Sequence, residues 1–307
     1  MKKQEEPAEK LLTLTPAAST TFALDGFVST LYTPAKDQYP GKALIMVGGS
    51  DGLYSLTKLI AEQFVKEGLT VLALAYWNLD ELPTQIYKIP LEFTKKAADW
   101  LKERGYEKIG LWGISEGAVY ALLSASHFDV FSACVAVNPM SYASPGLQKK
   151  NQWHKKVKLL DGSAFTFHEK DIPFHHLSFP KKKVLWESLK RQELCLLPIY
   201  RNSVEKSNVR SRIPVEKIKG SVLFLAAEED SMWESAKASE AMMQRLKDYN
   251  FNHPYRYYHY KKASHLLLPY SLNSRKMYRI ERKYPEECQK SNMDAFRKTL
   301  DFLKESW

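Results

Sequence analysis

The chain has 307 residues, of which 44% are hydrophobic and 26% charged. That balance is ordinary for a globular protein and excludes a disordered, collagenous or membrane-spanning chain. Cys134, Cys195 and Cys288 are too few and too scattered for a disulfide framework or a thiolate metal site, and no apolar run approaches the ~18 residues of a transmembrane helix. The net charge of +10 leaves nucleic acid, an anionic membrane and an anionic small molecule as partner classes until the charge is located.

Two lysines open the chain, but glutamates follow and the next apolar stretch is short. A secretory leader needs ~7–15 apolar residues after its basic start, so a cytoplasmic protein is expected. Residues 20–33 read as two short strands turning at Asp25-Gly26, a strong hairpin signal. KALIMVG (42–48) is a continuous apolar run suited to a buried parallel strand. A helix over 54–68 with Leu56, Leu59, Ile60 and Phe64 on one face follows, then a strand at 69–76. The next elements are a helix at 91–105, a strand at 108–113, a helix at 116–126 and a strand at 131–137.

The alternation stops there and resumes with a strand at 221–227, a helix near 232–248, a strand at 255–261 and an amphipathic helix at 293–307. Strands alternating with helices imply an α/β fold: eight strands, mostly parallel and flanked by helices, with the first hairpin as an antiparallel edge. The interruption, residues 141–215, holds 15 Lys or Arg against 6 Asp or Glu. Nearly all the excess charge therefore sits in one insertion after the sixth strand. An insertion at that point reads as a basic cap over a site at the carboxyl edge of the sheet. The expected organisation is a core of residues 1–140 and 216–307 with a cap of 141–215.

Gly113-Ile114-Ser115-Glu116-Gly117 matches G-x-S-x-G. It follows a strand directly and opens a helix, the context a nucleophile elbow requires. The alternative is a serine N-cap with convenient glycines. A nucleophilic serine needs a base, and the base an orienting acid, in the chain order Ser, Asp or Glu, His. The strand at 221–227 runs into Glu228-Glu229-Asp230, and Asp230, with the shorter arm and deeper in the loop, is the preferred acid over its two neighbours. Of the histidines that follow, His259 lies inside a strand and His253 precedes it, whereas His265 stands on the loop beyond it. His127 and the cap residues His154, His168, His175 and His176 fall out of order and read as polar or packing residues.

An oxyanion hole needs two backbone N–H donors. One is expected at Glu116, the residue after the serine. The other is expected in Gly48-Gly49-Ser50-Asp51-Gly52, at Ser50, with Gly49 close behind. No H-E-x-x-H, cysteine pair or clustered aspartate suggests a metal, and no G-x-G-x-x-G or Walker pattern suggests a nucleotide cofactor, so none is expected. Nucleic acid is not expected as a partner either, because no nucleic-acid motif accompanies the charge.

The segments VGGSDGLYSLTKLIAEQFVKEGLTVLALAYWNLDELP, GLWGISEGAVYALLSAS, IPVEKIKGSVLFLAAEEDSMW and ASHLLLPY together resemble the catalytic domain of acyl-CoA thioesterases and bile acid-CoA:amino acid N-acyltransferases, within the α/β-hydrolase superfamily. The resemblance covers about residues 40–140 and 213–307. It implies the α/β-hydrolase fold and places nucleophile, acid and base on Ser115, Asp230 and His265. It also implies a serine hydrolase cleaving an ester or thioester, with an acyl-CoA as the expected substrate. A carboxylesterase on a neutral ester, an acyltransferase to an amine and a noncatalytic binding protein on the same scaffold are the alternatives. Family members that transfer to amines can use cysteine as nucleophile, so the serine favours hydrolysis. Mammalian members also carry an N-terminal β-sandwich that the residues before Lys42 are too few to form.

Overall fold

A computed structural model describes residues 12–149, 157–268 and 277–307. The readings made on the N-terminal eleven residues and on His154 lie outside them. The core elements are β1 (Ala18–Thr20), α1 (Phe22–Asp25), β2 (Val28–Tyr32), β3 (Lys42–Val47), α2 (Tyr54–Lys66), β4 (Thr70–Ala75), β5 (Ile89–Pro90), α3 (Glu92–Lys102), β6 (Lys108–Ile114), α4 (Glu116–His127) and β7 (Phe131–Val137). The interrupting segment contributes β8 (Pro145–Lys149), β9 (Val157–Ser163), β10 (Phe165–Phe167), β11 (Lys170–Asp171), α5 (Lys181–Arg191), α6 (Leu197–Tyr200) and α7 (Ser203–Lys206). The chain then runs through β12 (Ser221–Ala227), α8 (Ser235–Asp248), β13 (Tyr255–Tyr260), α9 (Arg279–Lys283) and α10 (Pro285–Glu305).

The main sheet has eight strands in the order β1-β2-β4-β3-β6-β7-β12-β13. From β4 to β13 every neighbouring pair is parallel, and β1 and β2 form the antiparallel edge. The two-residue period explains why the strands read as unbroken apolar runs. On β3, Ala43, Ile45 and Val47 join one core while Leu44 and Met46 join the other. On β4, Leu72 and Leu74 oppose Val71 and Ala73 in the same way. Helices α3, α4 and α8 cover the first face through Leu101, Leu122 and Leu246, and α2 and α10 cover the second through Phe64 and Phe302. Both faces are therefore dry, as parallel sheets require.

The hairpin expected at Asp25-Gly26 is different in detail. β1 and β2 do pair antiparallel, with Ser19 opposite Thr30. The connection is not a two-residue turn but the single helical turn α1. Asp25 Oδ2 accepts the Thr21 N–H at 2.9 Å. Gly26, at φ 72°, closes the turn by donating its N–H to the Phe22 carbonyl. The same dipeptide thus serves as a helix C-cap, because glycine in the left-handed region ends a helix as readily as it turns a hairpin. The last helix begins at Pro285, well before the expected 293, with proline in its first turn where no backbone donor is needed.

The segment 141–215 is built from helices and two small sheets, one of which it shares with β5. β8 and β9 pair antiparallel. β10 pairs with β11 and, in parallel, with β5, which lies upstream of α3. Its two ends are joined by Ala143 N–H to Ser211 O at 2.8 Å and Ile213 N–H to Ser141 O at 3.0 Å. The N–H groups of Leu196 and Leu197 both reach the Ser231 carbonyl. Through these bonds the basic segment is fastened to the loop that leaves β12.

The junction of β6 and α4 is packed backbone on backbone. A Cβ placed on Gly117 would collide with the Gly48 carbonyl, and one on Gly113 with the Gly117 carbonyl. Gly117→Ala is therefore expected to destabilise the fold by roughly 1–3 kcal/mol despite the better helix propensity of alanine. Urea unfolding of the variant against the parent chain measures this.

Candidate active site

β6 delivers Ser115 at its carboxyl end. The serine has φ 60° and ψ −128°, a backbone conformation unfavourable for a residue with a side chain. Such strain, of order 1–3 kcal/mol, persists only where the surroundings impose it. Here the Ser115 N–H is held by the Val137 carbonyl of the neighbouring strand at 2.9 Å, while the Ser115 carbonyl accepts from the Ala118 N–H at 2.9 Å. The backbone is caught between strand and helix, and the side chain turns out of the sheet edge.

The structure brings Ser115, His265 and Asp230 together in one buried line. Asp230 accepts from His265 Nδ1, with Oδ2 at 2.8 Å and Oδ1 at 3.0 Å. A carboxylate only accepts, so Nδ1 carries the proton, and in the neutral imidazole Nε2 is then the acceptor. Ser115 Oγ lies 2.8 Å from Nε2 and donates to it. Asp230 is itself fixed, since Oδ1 also accepts the Met232 N–H at 2.8 Å and the Trp233 N–H at 3.4 Å. The Trp233 ring stands edge-on to the imidazole, with centroids 4.8 Å apart at 88°.

The two rival acids point elsewhere. Glu228 pairs with His259 at 3.4 Å, and Glu229 is exposed. The other histidines lie apart from the line. His127 Nδ1 meets the Leu123 carbonyl at 2.8 Å at the end of α4, where burial holds its pKa below the usual value. His168 lies near Glu92, His175 packs on Tyr142, His176 on Phe174 and His253 on Phe251.

Of the two residues expected to supply N–H donors, Glu116 follows the serine directly, and Ser50 belongs to a loop whose Gly49 passes beside it. Glu116 is the first residue of α4, whose N-terminus points at the site. The loop after β3 lies against the serine on the other side: a Cβ on Gly49 would stand 3.2 Å from Ser115 Cβ and 3.1 Å from Asp51 Oδ2. Tyr76 steadies that loop by donating to the Gly48 carbonyl at 3.1 Å. The Glu116 side chain is buried and accepts from Ser144 Oγ of the basic segment. Burial first, and then the Glu116 charge, pushes the Tyr76 and Tyr200 phenols well above their ordinary pKa.

Sequence reasoning missed the residue that joins these loops. Asn138, just beyond β7 at φ 47°, is fully buried. Its Nδ2 donates to the His265 carbonyl at 2.9 Å, and its Oδ1 accepts the Ala227 N–H at 2.8 Å. Its own carbonyl accepts Trp233 Nε1–H at 3.0 Å. One asparagine thus ties the base loop, the end of β12 and the tryptophan against the imidazole. An Asn-Pro pair closing a strand was the available signal. A second omission is Glu281 of α9, 5% exposed, which accepts from Ser264 Oγ beside His265. Ser264 Oγ in turn accepts the Leu266 N–H at 3.1 Å, so His265 is bracketed by this contact.

Beside the loops that carry Asp230 and His265 lies a polar cavity of about 120 Å³ lined by Arg191, Glu193, Glu229, Lys262, Arg279, Ile280, Lys283 and Tyr284. Its four cations outnumber its two carboxylates. Lys283 by hydrogen bonding, and then Lys262 by its charge, lower the Tyr284 pKa. Lys262, Arg279 and Lys283 come from outside the segment where the sequence concentrates the excess charge.

Burial raises the Glu281 carboxyl above its ordinary value, and among the described residues its Oε2 has no hydrogen-bond partner. An acid with a raised native pKa favours the folded state fully when protonated, and that contribution is lost as pH rises above the usual glutamate range of about 4.3. Glu281→Gln imitates the protonated acid and removes the loss. The variant is expected to gain thermal stability over the parent chain as pH rises from 5 to 8, with the two converging in acid. Melting temperatures across that range test this.

The residues 89–306 match the family model described as BAAT / Acyl-CoA thioester hydrolase C terminal. The chain is 26% identical over 243 residues to the mouse bile acid-CoA:amino acid N-acyltransferase, covering 77% of this chain and 50% of that protein. It is 27% identical over 230 residues to the mouse peroxisomal succinyl-coenzyme A thioesterase, covering 74% and 49%. The chain thus spans about half the length of these curated relatives. Among solved structures, the α/β hydrolase GrgF from Penicillium superposes with a TM-score of 0.56 at 18% identity, over 94% of this chain and 97% of that one. A puromycin-hydrolysing peptidase of Mycobacterium tuberculosis gives 0.55 at 14% identity, over 91% and 37%. These likenesses establish the α/β-hydrolase fold, and the chain belongs to the BAAT / acyl-CoA thioester hydrolase C-terminal family.

Proposed function

We propose that this chain is a serine hydrolase that cleaves an acyl thioester, with an acyl-CoA as substrate and an acyl-enzyme as intermediate. The observation that carries the reading is the continuous line from Ser115 Oγ through His265 to Asp230, at 2.8 Å on each side of the imidazole. Family membership and the thioesterase relatives support the substrate class.

In this reading His265 Nε2 takes the Ser115 proton as Oγ attacks the acyl carbonyl carbon. The developing oxyanion is received by the backbone N–H groups of Ser50 and Glu116, helped by the N-terminal end of α4. The tetrahedral adduct collapses, the C–S bond breaks, and the imidazolium returns its proton to the departing thiolate. Asp230 stabilises the imidazolium throughout without taking its proton. A water deprotonated by His265 then attacks the acyl-serine, and collapse of the second adduct frees the carboxylic acid and restores the Ser115 hydroxyl. The cationic cavity beside the loops of Asp230 and His265 supports an anionic leaving group, because Arg and Lys hold phosphate oxygens by charge-assisted hydrogen bonds.

The test compares an acyl-CoA with a neutral p-nitrophenyl ester on one preparation. Ser115→Ala is expected to lower kcat by several orders of magnitude on any substrate turned over, and to abolish labelling by a fluorophosphonate, while its melting temperature stays near that of the parent chain. Near-normal turnover in that variant would remove the serine mechanism.

Lys262→Gln and Arg279→Gln are expected to raise KM for the acyl-CoA several-fold and to leave the neutral ester unchanged. Equal effects on both substrates would count against phosphate recognition at the cavity and shift the reading toward a neutral ester.

A further inference from the structure

The cap helix α5 turns the wrong residues outward for a water-facing surface. Leu185, Trp186 and Leu189 are 61%, 68% and 67% exposed, whereas Val184, on the opposite side, is the buried residue of the helix. At 100° per residue the three outward side chains span an arc of about 100°, which is the width of a helical face that is normally packed.

The charges around this stripe say what it fits. Lys181 borders it on the Leu185 side, and Lys183 and Lys190 border it on the Trp186 side, all three exposed. Lys182 lies within the arc itself, at the start of the helix. The cores of protein–protein interfaces are depleted of lysine, so this face is poorly made for another protein. It has the composition of a helix lying in a membrane interface. There, leucine and tryptophan enter the acyl boundary, and lysine stems run along them to place their ammonium groups among the anionic headgroups. Among the described residues no helix is long and apolar enough to cross a membrane.

We propose that α5 docks this protein, peripherally and reversibly, on the surface of an anionic phospholipid bilayer. Leu185, Trp186 and Leu189 supply apolar insertion, and Lys181, Lys182, Lys183 and Lys190 supply attraction to phosphatidylserine-like headgroups. The proposal is independent of the hydrolase reading, because it uses none of the residues placed at the candidate site. It does bear on where that site would work, since the segment carrying α5 is bonded to Ser231, next to Asp230.

The test is co-sedimentation of the full chain with sucrose-loaded vesicles of phosphatidylcholine alone or of phosphatidylcholine with phosphatidylserine. Binding is expected to the anionic vesicles and to weaken as salt shortens the Debye length. The triple variant Leu185→Ser, Trp186→Ser, Leu189→Ser is expected to lose binding tenfold or more, at an unchanged melting temperature. Neutralising Lys182, Lys183 and Lys190 to Gln is expected to cost roughly fivefold per lysine on anionic vesicles only. Absence of binding to anionic vesicles overturns the proposal, and so does binding that survives the triple serine variant. Concentration-dependent self-association of the parent chain, abolished by that variant and without vesicle binding, would assign the face to a second copy instead.

Discussion

Helix α4 lies against the ends of β3 and β6 with no side chain between the backbones. Gly117 meets the Gly48 carbonyl, and Gly113 meets Gly117. Much else at this edge of the molecule follows from that approach. With helix and strand this close, the one residue joining them has to reverse direction within a single peptide, and Ser115 takes up the unfavourable φ of 60°. The same closeness brings the Gly48–Gly52 loop up to the serine, so that a Cβ on Gly49 would sit tightly, 3.2 Å from Ser115 Cβ. It also aims the α4 N-terminus at the serine, where its partial positive charge favours an anion.

A strained serine is useful only if its partners arrive from other strands, and here they arrive on two loops far apart in the chain. Asp230 follows β12 and His265 follows β13, and β12 lies next to β7 in the sheet. Parallel strands put all their carboxyl ends on one edge, so the three residues share that edge without any long-range reach. Loop position alone is too coarse for a hydrogen bond of 2.8 Å. The precision comes from buried polar contacts: Asn138 holding the His265 carbonyl, the Met232 N–H holding Asp230, and Ser264 leaning on Glu281. Each of these groups would be costly to bury alone, and together they define one arrangement of the loops.

The basic charge of the chain divides into two surfaces. One lines the polar cavity, where Lys262 follows β13 and Arg279 and Lys283 belong to α9, all outside the basic segment. The other is outward, on α5, where lysines edge an apolar stripe. Sequence composition places nearly all the excess charge in residues 141–215, which reads as one basic cap. Composition averages over direction, and a helix sends neighbouring residues to opposite sides.

Several features were fully legible in the residues. The unbroken apolar runs announced a doubly covered parallel sheet. G-x-S-x-G between a strand and a helix marked Ser115 as the candidate, and chain order with strand ends singled out Asp230 and His265, which the structure places beside it. These are local or periodic signals, set by side-chain alternation and by the steric needs of one turn. The Asp25-Gly26 connection was read wrongly because a left-handed glycine suits a helix end and a hairpin equally. The tertiary structure favours the helical turn: Glu81, 59 residues away, accepts the Phe22 N–H at 2.8 Å at its start. Asn138, Glu281 and the cavity cations were likewise beyond the sequence. Asn138 bonds residues 89 and 127 positions away, and no local pattern encodes such a partner. The sequence by itself determined which chemistry stands at the ends of which strands. The tertiary structure decided which groups meet, because meeting depends on how separate loops pack.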